Sequence, residues 1–192
     1  MDHGPAPAVL FTPDRIRERV RQLGAEICAG YEDECELHLV SVLKGGVVFL
    51  ADLMRSLSRP ATVDFVRLAS YGSGTLSAAP PRVVKDLDDD VAGRDVLIVE
   101  DIVDTGRTLA SLVDTVRARG PRSLRTVTLL DKPSRRRVEV DIEHVGFTIP
   151  DRFVVGYGLD YAERYRHLPY IGVLDPGAGT GPADPARRPD RT

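Results

Sequence analysis

The sequence predicts an α/β fold, doubly wound around a mainly parallel sheet with helices on both of its faces. Three observations support this prediction. Val96 to Val99 is a run of four apolar residues, which is typical of a strand buried on both faces of a parallel sheet. Segments typical of strands and of helices alternate along most of the 192 residues, as they do in such folds. Glycines and polar residues follow the strands, at the edge of the sheet where these folds bind ligands.

The first part of the chain predicts a long helix, followed by strand, turn, helix and strand. Thr12-Pro13-Asp14 has the composition of a helix start, with Thr as N-cap and Pro at the first helical position. An apolar stripe at helical spacing follows and ends before Gly30. The stripe consists of Ile16, Val20, Leu23 and Ile27. The later segments are a strand over 37–43, a turn over 44–46, a helix over 47–57 and a strand over 62–68.

The remaining segments continue the alternation and end in a polar tail. Residues 69–81 are rich in Gly, Ser, Ala and Pro, which indicates a long loop. The elements that follow are a short strand over 82–85, the central strand over 96–99, a helix over 108–119, a strand over 123–130, a loop over 134–137 and late strands over 153–157 and 171–174. From Pro176 onwards Gly, Pro, Ala and charged residues dominate. We therefore expect a single domain over 1–175 and a disordered tail over 176–192.

Composition and charge narrow the class of protein. The net charge is −3 and 42% of the residues are hydrophobic, so nothing favours nucleic acid or an anionic membrane as a partner. No apolar run approaches the ~20 residues of a membrane span, and the N-terminus lacks the pattern of a signal peptide. Cys28 and Cys35 have neither metal nor redox spacing. We therefore expect a cytoplasmic protein with two reduced thiols.

The segment that follows the central strand has the most specific chemistry. Glu100 and Asp101 come at the end of the strand, Asp104 follows, and Thr105-Gly106-Arg107-Thr108 opens the next helix. Ionised carboxylates only accept hydrogen bonds, which suits the cis-diol of a ribose. A helix N-terminus with a glycine and two hydroxyls can hold a phosphate. These residues predict a pocket for a ribose 5-phosphate; the alternative is an ordinary turn with solvated acids.

This string resembles the phosphoribosyl-pyrophosphate (PRPP) signature of the type I phosphoribosyltransferases. The resemblance implies that Glu100 and Asp101 hold the ribose and a Mg²⁺ ion, and that Asp104 is the general base that takes the purine proton. It also implies that the 5-phosphate of PRPP binds to Thr105, Gly106, Arg107 and Thr108.

Two further loops extend the resemblance. Lys44-Gly45-Gly46 is similar to the pyrophosphate-binding loop of the family, in which the peptide before the lysine can be cis. Without the resemblance, this segment would be a packing turn with an exposed lysine. Ser70-Tyr71, followed by a Gly/Ser run, is similar to the flexible lid of the hypoxanthine-guanine phosphoribosyltransferases, and the alternative is a disordered surface loop.

The last third of the chain resembles the base-binding part of the same enzymes. The resemblance implies that Lys132 points at the 6-oxygen of the purine, that Phe153 stacks on the base and that the Val154 backbone meets the base edge. It further implies that Asp160 binds Mg²⁺ and that Arg166 lies near the pyrophosphate. Without the resemblance, Phe153 and Val154 would be interpreted as part of a core strand. Asp160 would be an acidic residue in a turn, and Arg166 a charged surface residue.

Two sets of residues receive only a structural interpretation. Arg135-Arg136-Arg137 is interpreted as a solvated loop. The histidines His38, His144 and His167 have no ligand spacing and are interpreted as structural or surface residues.

The resemblance implies the type I phosphoribosyltransferase fold with a small hood region. It also implies an enzyme of purine salvage that depends on Mg²⁺. It would transfer the 5-phosphoribosyl group of PRPP to N9 of hypoxanthine, and of guanine, and release pyrophosphate. A homodimer or homotetramer is implied as well. Two rivals stay open. A PRPP-sensing regulator would need a surface for an operator or for RNA, which the mild acidity disfavours. A transferase for xanthine or a pyrimidine is the other rival, because xanthine differs from hypoxanthine only at C2.

Overall fold

A computed structural model of the protein describes residues 6–32, 35–69 and 82–175. In chain order the elements are β1 (Ala8–Phe11), α1 (Pro13–Ala29), β2 (Leu37–Val42), α2 (Val47–Ser56), β3 (Ala61–Ala69), β4 (Arg82–Lys85), β5 (Asp95–Val103), α3 (Arg107–Arg117), β6 (Ser123–Asp131), a 3₁₀ turn (Pro133–Arg135), β7 (His144–Thr148), β8 (Val154–Val155) and β9 (Ile171–Val173). The predicted N-cap is confirmed, because Thr12 Oγ1 accepts a hydrogen bond of 3.4 Å from the backbone N–H of Arg15.

The main sheet has six strands in the order β4-β3-β2-β5-β6-β7. Neighbouring strands are parallel except for β3 and the edge strand β4, which are antiparallel. Strand β5 lies inside the sheet and is buried from Asp95 to Asp101. The predicted fold, a mainly parallel sheet of the doubly wound kind, is confirmed.

Helices cover both faces of this sheet, because alternate side chains of each strand point to opposite faces. Leu97 and Val99 of β5 belong to one core, together with α1 and α2. Val96 and Ile98 belong to a second core, together with α3. The apolar run in β5 therefore packs against helices on both sides, as its composition predicts.

A second, three-stranded antiparallel sheet forms the small hood region that the prediction included. Its strand order is β1-β9-β8. Strand β1 has only four residues and was not predicted, since a segment that short shows no clear periodicity. The late strand predicted over 153–157 is the two-residue strand β8, because Gly156 and Gly158 adopt φ values of 95° and 98° and turn the chain away.

Strand β5 is longer than predicted, and this moves the acid pair. The pairing of β5 with β6 continues to Val103, opposite Asp131. Glu100 and Asp101 are therefore strand residues, and the expectation that they follow the strand is wrong. Ser70, Tyr71 and the tail over 176–192 lie outside the described residues. No helix in the described part of the chain is long and apolar enough to cross a membrane.

Candidate active site

The turn between β5 and α3 presents a helix N-terminus at the carboxyl end of β5. Gly106 has φ 82° and comes directly before α3. A Cβ atom there would lie 2.6 Å from the carbonyl oxygen of Val138 and 2.9 Å from the Arg136 side chain, so this position requires glycine. Thr105 Oγ1 accepts a long hydrogen bond of 3.5 Å from the Arg107 N–H. The first N–H groups of a helix have no acceptor within it, and the turn can therefore hold a phosphate.

The arginine loop, Arg135 to Arg137, is hydrogen-bonded to the backbone of this turn. The N–H groups of Arg137 and Val138 both donate to the carbonyl oxygen of Thr105, at 2.9 and 3.2 Å. Arg136 donates to the carbonyl oxygen of Asp104 at 3.2 Å and pairs with the Asp131 carboxylate. The interpretation of this triplet as a solvated loop is wrong for Arg136, whose side chain is only 19% exposed. The sequence shows only that the triplet follows a strand, β6, and the position of β6 beside β5 is known from the structure.

Asp104, the expected general base, lies beside this arginine loop. Its Oδ1 accepts a hydrogen bond of 3.1 Å from Arg135 Nε, and its side chain is 40% exposed. Arg135 also pairs with Asp151 at 3.6 Å. The same guanidinium thus connects Asp104 to the chain two residues before Phe153.

Glu100 and Asp101 form a buried acid pair with too little positive charge around it. They are 7% and 9% exposed, and Glu100 Oε2 has no hydrogen-bond partner among the described residues. Burial and the Asp101 charge hold the pKa of Glu100 well above its usual value. Burial raises the pKa of Asp101 to about 6, although the Ile102 N–H and the Arg166 charge act in the opposite direction. A divalent cation, or the hydroxyl donors of a ribose, would satisfy such a pair.

The Lys44-Gly45-Gly46 turn packs directly on this acid pair. The Leu43–Lys44 peptide is cis. Gly45 lies so close to the Asp101 carboxylate that a Cβ atom would overlap it, and Gly158 approaches the carbonyl oxygen of Gly45 in the same way. The Lys44-Gly45-Gly46 loop, Asp101 and the segment that carries Gly158 therefore meet at one place, because glycine at positions 45 and 158 lets the backbones approach.

Arg166 connects the segment after β8 to the same place. Its Nη1 donates to the carbonyl oxygen of Gly158 at 2.8 Å, and its Nη2 pairs with Asp160 Oδ1 at 2.8 Å. The sequence did not single out Glu163, which pairs with Lys44 at 2.9 Å and with Arg166 at 3.4 Å. Four non-glycine residues of this segment have positive φ, a conformation that costs energy and is concentrated at functional sites; they are Tyr157, Ala162, Glu163 and Tyr165.

The predicted metal ligands fit a divalent cation by charge. The Asp101 and Asp160 carboxylates repel one another electrostatically, and Glu100 contributes a third carboxyl group with an unpaired oxygen. The three do not form a closely spaced ligand cluster. Mg²⁺ usually takes one or two carboxylates and keeps several waters, so the residues present fit this ion.

One cluster of the described residues does have metal-like spacing: His38, Asp64 and Asp89 have potential ligand atoms within 4.8 Å of one another. Its hydrogen bonds give it a structural role. Asp64 accepts from the N–H groups of Phe65, Asp88 and Asp89 at 2.6 to 3.0 Å. This carboxylate therefore holds the segment before β5 against β3.

The expected base-binding residues lie on three different elements. Lys132 follows β6, is 7% exposed, and donates its N–H to the carbonyl oxygen of Val103 at 3.0 Å. Its ammonium forms no ion pair with any residue from 6–32, 35–69 or 82–175. Phe153 is 41% exposed and meets Tyr161 edge to face at 5.5 Å. The reading of Phe153 as a core residue is wrong, whereas Val154 is buried in the core.

The structure thus brings the predicted pyrophosphate and metal residues close to one another, while the base-binding residues are joined less directly. Arg166, Asp160, Asp101 and Gly45 form one connected group. Within the described ranges no ring contact joins Phe153 to Lys132 or Asp104.

Comparison with known proteins gives consistent results. Residues 14–162 match the family model described as the phosphoribosyl transferase domain. The hypoxanthine-guanine phosphoribosyltransferase of Bacillus subtilis is 50% identical over 168 residues, which are 88% of this chain and 93% of that protein. A crystal structure of a hypoxanthine-guanine phosphoribosyltransferase from Bacillus anthracis has a TM-score of 0.85 and 42% identity, covering 89% of this chain and 100% of the other.

Some relatives are much longer than this chain. The bifunctional protein TilS/HprT of Listeria monocytogenes is 49% identical over 174 residues, which are 91% of this chain. Those residues are only 27% of the bifunctional protein, so the chain spans about a quarter of such relatives.

Proposed function

This chain belongs to the phosphoribosyl transferase domain family, and from that premise we propose that it transfers the 5-phosphoribosyl group of PRPP to N9 of hypoxanthine, and of guanine, in purine salvage. The C1–O bond to pyrophosphate breaks, the C1–N9 bond forms, and the proton displaced from the purine ring leaves. The observation that supports this most strongly is the buried acid pair. Asp101 packs against Gly45, and further along the chain the N-terminus of α3 can bind a phosphate.

PRPP binds through two loops in this proposal. The 5-phosphate binds to the turn formed by Thr105, Gly106, Arg107 and Thr108. The first N–H groups of α3 and the threonine hydroxyls donate hydrogen bonds to it. The ribose hydroxyls donate to Glu100 and Asp101. Lys44, the Gly45 backbone and Arg166 bind the pyrophosphate group.

Asp104 acts as the general base in the proposed reaction. It follows β5 within the loop that binds the 5-phosphate, and its carboxylate is 40% exposed and therefore accessible to a ligand. It would accept the purine proton, which we place at N7. Arg135, hydrogen-bonded to Asp104 Oδ1 at 3.1 Å, orients the carboxylate.

The purine lies between groups that recognise its shape and its 6-oxygen. Phe153 offers an exposed ring face for stacking, and the Val154 backbone meets the base edge. Lys132 is a pure donor, so it favours an oxygen over an amino group at position 6. Lys132 is 7% exposed as a residue and has no ion-pair partner among the described residues, so its ammonium is available to an acceptor on the base. Xanthine, which differs at C2, is the second candidate base.

Glu100, Asp101 and Asp160 are the residues that would hold Mg²⁺. When bound, the ion would offset charge on the pyrophosphate and organise the ribose hydroxyls. The excess of buried negative charge at the acid pair supports this assignment.

The proposal also includes a cytoplasmic location, which is in accord with the free thiols of Cys28 and Cys35. It further includes assembly into a homodimer or homotetramer, without nucleic acid or membrane partners. Ser70 and Tyr71 are proposed to belong to a lid over the bound substrates.

A panel of bases tests this proposal. The protein is incubated with PRPP, Mg²⁺ and each of hypoxanthine, guanine, xanthine, adenine and uracil, and nucleotide and pyrophosphate are measured. Turnover of hypoxanthine and guanine, with negligible turnover of adenine and uracil, is the expected result. Binding of PRPP without turnover of any base would instead support a PRPP sensor.

A further inference from the structure

Glu163 bridges the two cations that we assign to the pyrophosphate. Its Oε2 accepts a hydrogen bond of 2.9 Å from Lys44 Nζ and lies 3.4 Å from Arg166 Nη2. Lys44 and Glu163 are 119 positions apart in the chain. One carboxylate oxygen therefore occupies the position between these cations where an anion that binds both would place an oxygen.

The backbone holds Glu163 in this position. The residue has φ 63°, and its N–H donates to Asp160 Oδ2 at 2.9 Å. Asp160 Oδ1 in turn pairs with Arg166 Nη2. The turn that carries Glu163 is thus fixed by the residue proposed to bind the metal, while the Glu163 side chain is 65% exposed and borders solvent.

We propose that Glu163 is an internal counter-anion of the pyrophosphate subsite: its carboxylate binds Lys44 and Arg166 in the free enzyme and is displaced when the pyrophosphate group of PRPP binds. The proposal depends on the proposed function, because it takes Lys44 and Arg166 as pyrophosphate ligands. An anion that engages both cations must remove the Glu163 carboxylate from between them.

This exchange determines the affinity of the subsite for pyrophosphate. With Glu163 and Asp160 present, the charges of Lys44 and Arg166 are balanced locally before any ligand binds. Each displaced ion pair reduces the net gain from binding pyrophosphate, and the returning carboxylate helps the product to leave. Both pairs are partly exposed, so the effect is modest in size.

The test replaces Glu163 by glutamine, which removes the charge and keeps the shape. Asparagine is the second variant, because it tolerates positive φ better than most residues. Glu18→Gln is the matched control: Glu18 is an exposed acid on α1 that also pairs with an arginine, Arg21. The affinity for magnesium pyrophosphate is measured by calorimetry, and KM for PRPP and for hypoxanthine by initial rates.

We expect both Glu163 variants to bind magnesium pyrophosphate about two- to tenfold more tightly than the unmodified enzyme, as loss of competition from two exposed ion pairs allows. KM for PRPP should fall by a similar factor, while KM for hypoxanthine and all constants of Glu18→Gln stay unchanged. Unchanged or weaker pyrophosphate binding in both variants would overturn the proposal, since weaker binding would mean that Glu163 holds Lys44 in its productive position. If the unmodified protein does not convert hypoxanthine at all, the proposed function fails instead.

Discussion

Asp101→Asn separates the contribution of this residue to the reaction from its contribution to the stability of the fold. Asparagine has the same shape, so it fits against Gly45 and its oxygen can still accept from the Ile102 N–H. What it removes is a negative charge that lies beside Glu100 in a buried position. The variant is therefore expected to be more stable than the natural protein and less active.

The size of the stabilisation follows from the pKa of Asp101. Burial raises this pKa from 3.8 to about 6, and one unit of pKa corresponds to about 1.4 kcal/mol. The ionised Asp101 side chain therefore costs the fold roughly 1–3 kcal/mol at pH 7.5, and Asp101→Asn should raise the free energy of unfolding by that amount. Loss of a charged acceptor for the ribose or its metal costs about 1.5–3 kcal/mol in kcat/KM, or about 10- to 150-fold.

The stabilisation should depend on pH in a defined direction. An acid whose pKa is raised by folding destabilises the protein above its folded pKa, and this penalty disappears as the pH falls towards its unfolded pKa. The difference between the variant and the natural protein should thus be largest above pH 6 and should vanish towards pH 4.

The assay is urea unfolding of both proteins with chelator present and without PRPP, between pH 4.5 and 8. Asp114→Asn is the control, because Asp114 is an exposed acid on α3 and its replacement should change stability by about 0.5 kcal/mol or less. The reasoning is refuted if Asp101→Asn is folded but no more stable than the natural protein at pH 7.5. The ionised acid pair would then not destabilise the fold, and its buried charge would no longer support a bound cation.

Three further predictions concern the reaction. Asp104→Asn should lower kcat by roughly 10²–10⁴ with little change in PRPP affinity; a near-native kcat in initial-rate measurements would show that the proton goes elsewhere. Lys132→Ala should lose about 1–3 kcal/mol in kcat/KM for hypoxanthine while KM for PRPP stays close to its natural value, and retention of hypoxanthine efficiency would remove Lys132 as the reader of the 6-oxygen. Chelation of Mg²⁺ should abolish turnover, restored on adding the ion back; full activity in metal-free buffer would contradict the assigned role of the acid pair.

Much of the fold could be predicted because its signals are local. The apolar run in β5 and the N-cap at Thr12 depend only on neighbouring residues, and both the strand and the helix form, although β5 continues to Val103 beyond the predicted end at Val99. The short strands β1 and β7 were missed, since four or five residues leave no clear period. Strand β7 pairs through Gly146, where a Cβ atom would clash with the Leu129 backbone; that requirement exists only once β6 lies beside it.

The sequence by itself determined the residue types of the candidate site and their order, because a phosphate turn after a buried strand consists of consecutive residues. Only the tertiary structure decided which groups meet. Arg136 supports the phosphate turn because β6 is the neighbour of β5, and Glu163 reaches Lys44 because glycines and residues with positive φ fold its segment back onto the Lys44 loop. Contacts between residues more than a hundred positions apart depend on strand order and on the direction of each turn. Neither can be predicted from the residue pattern of a single segment.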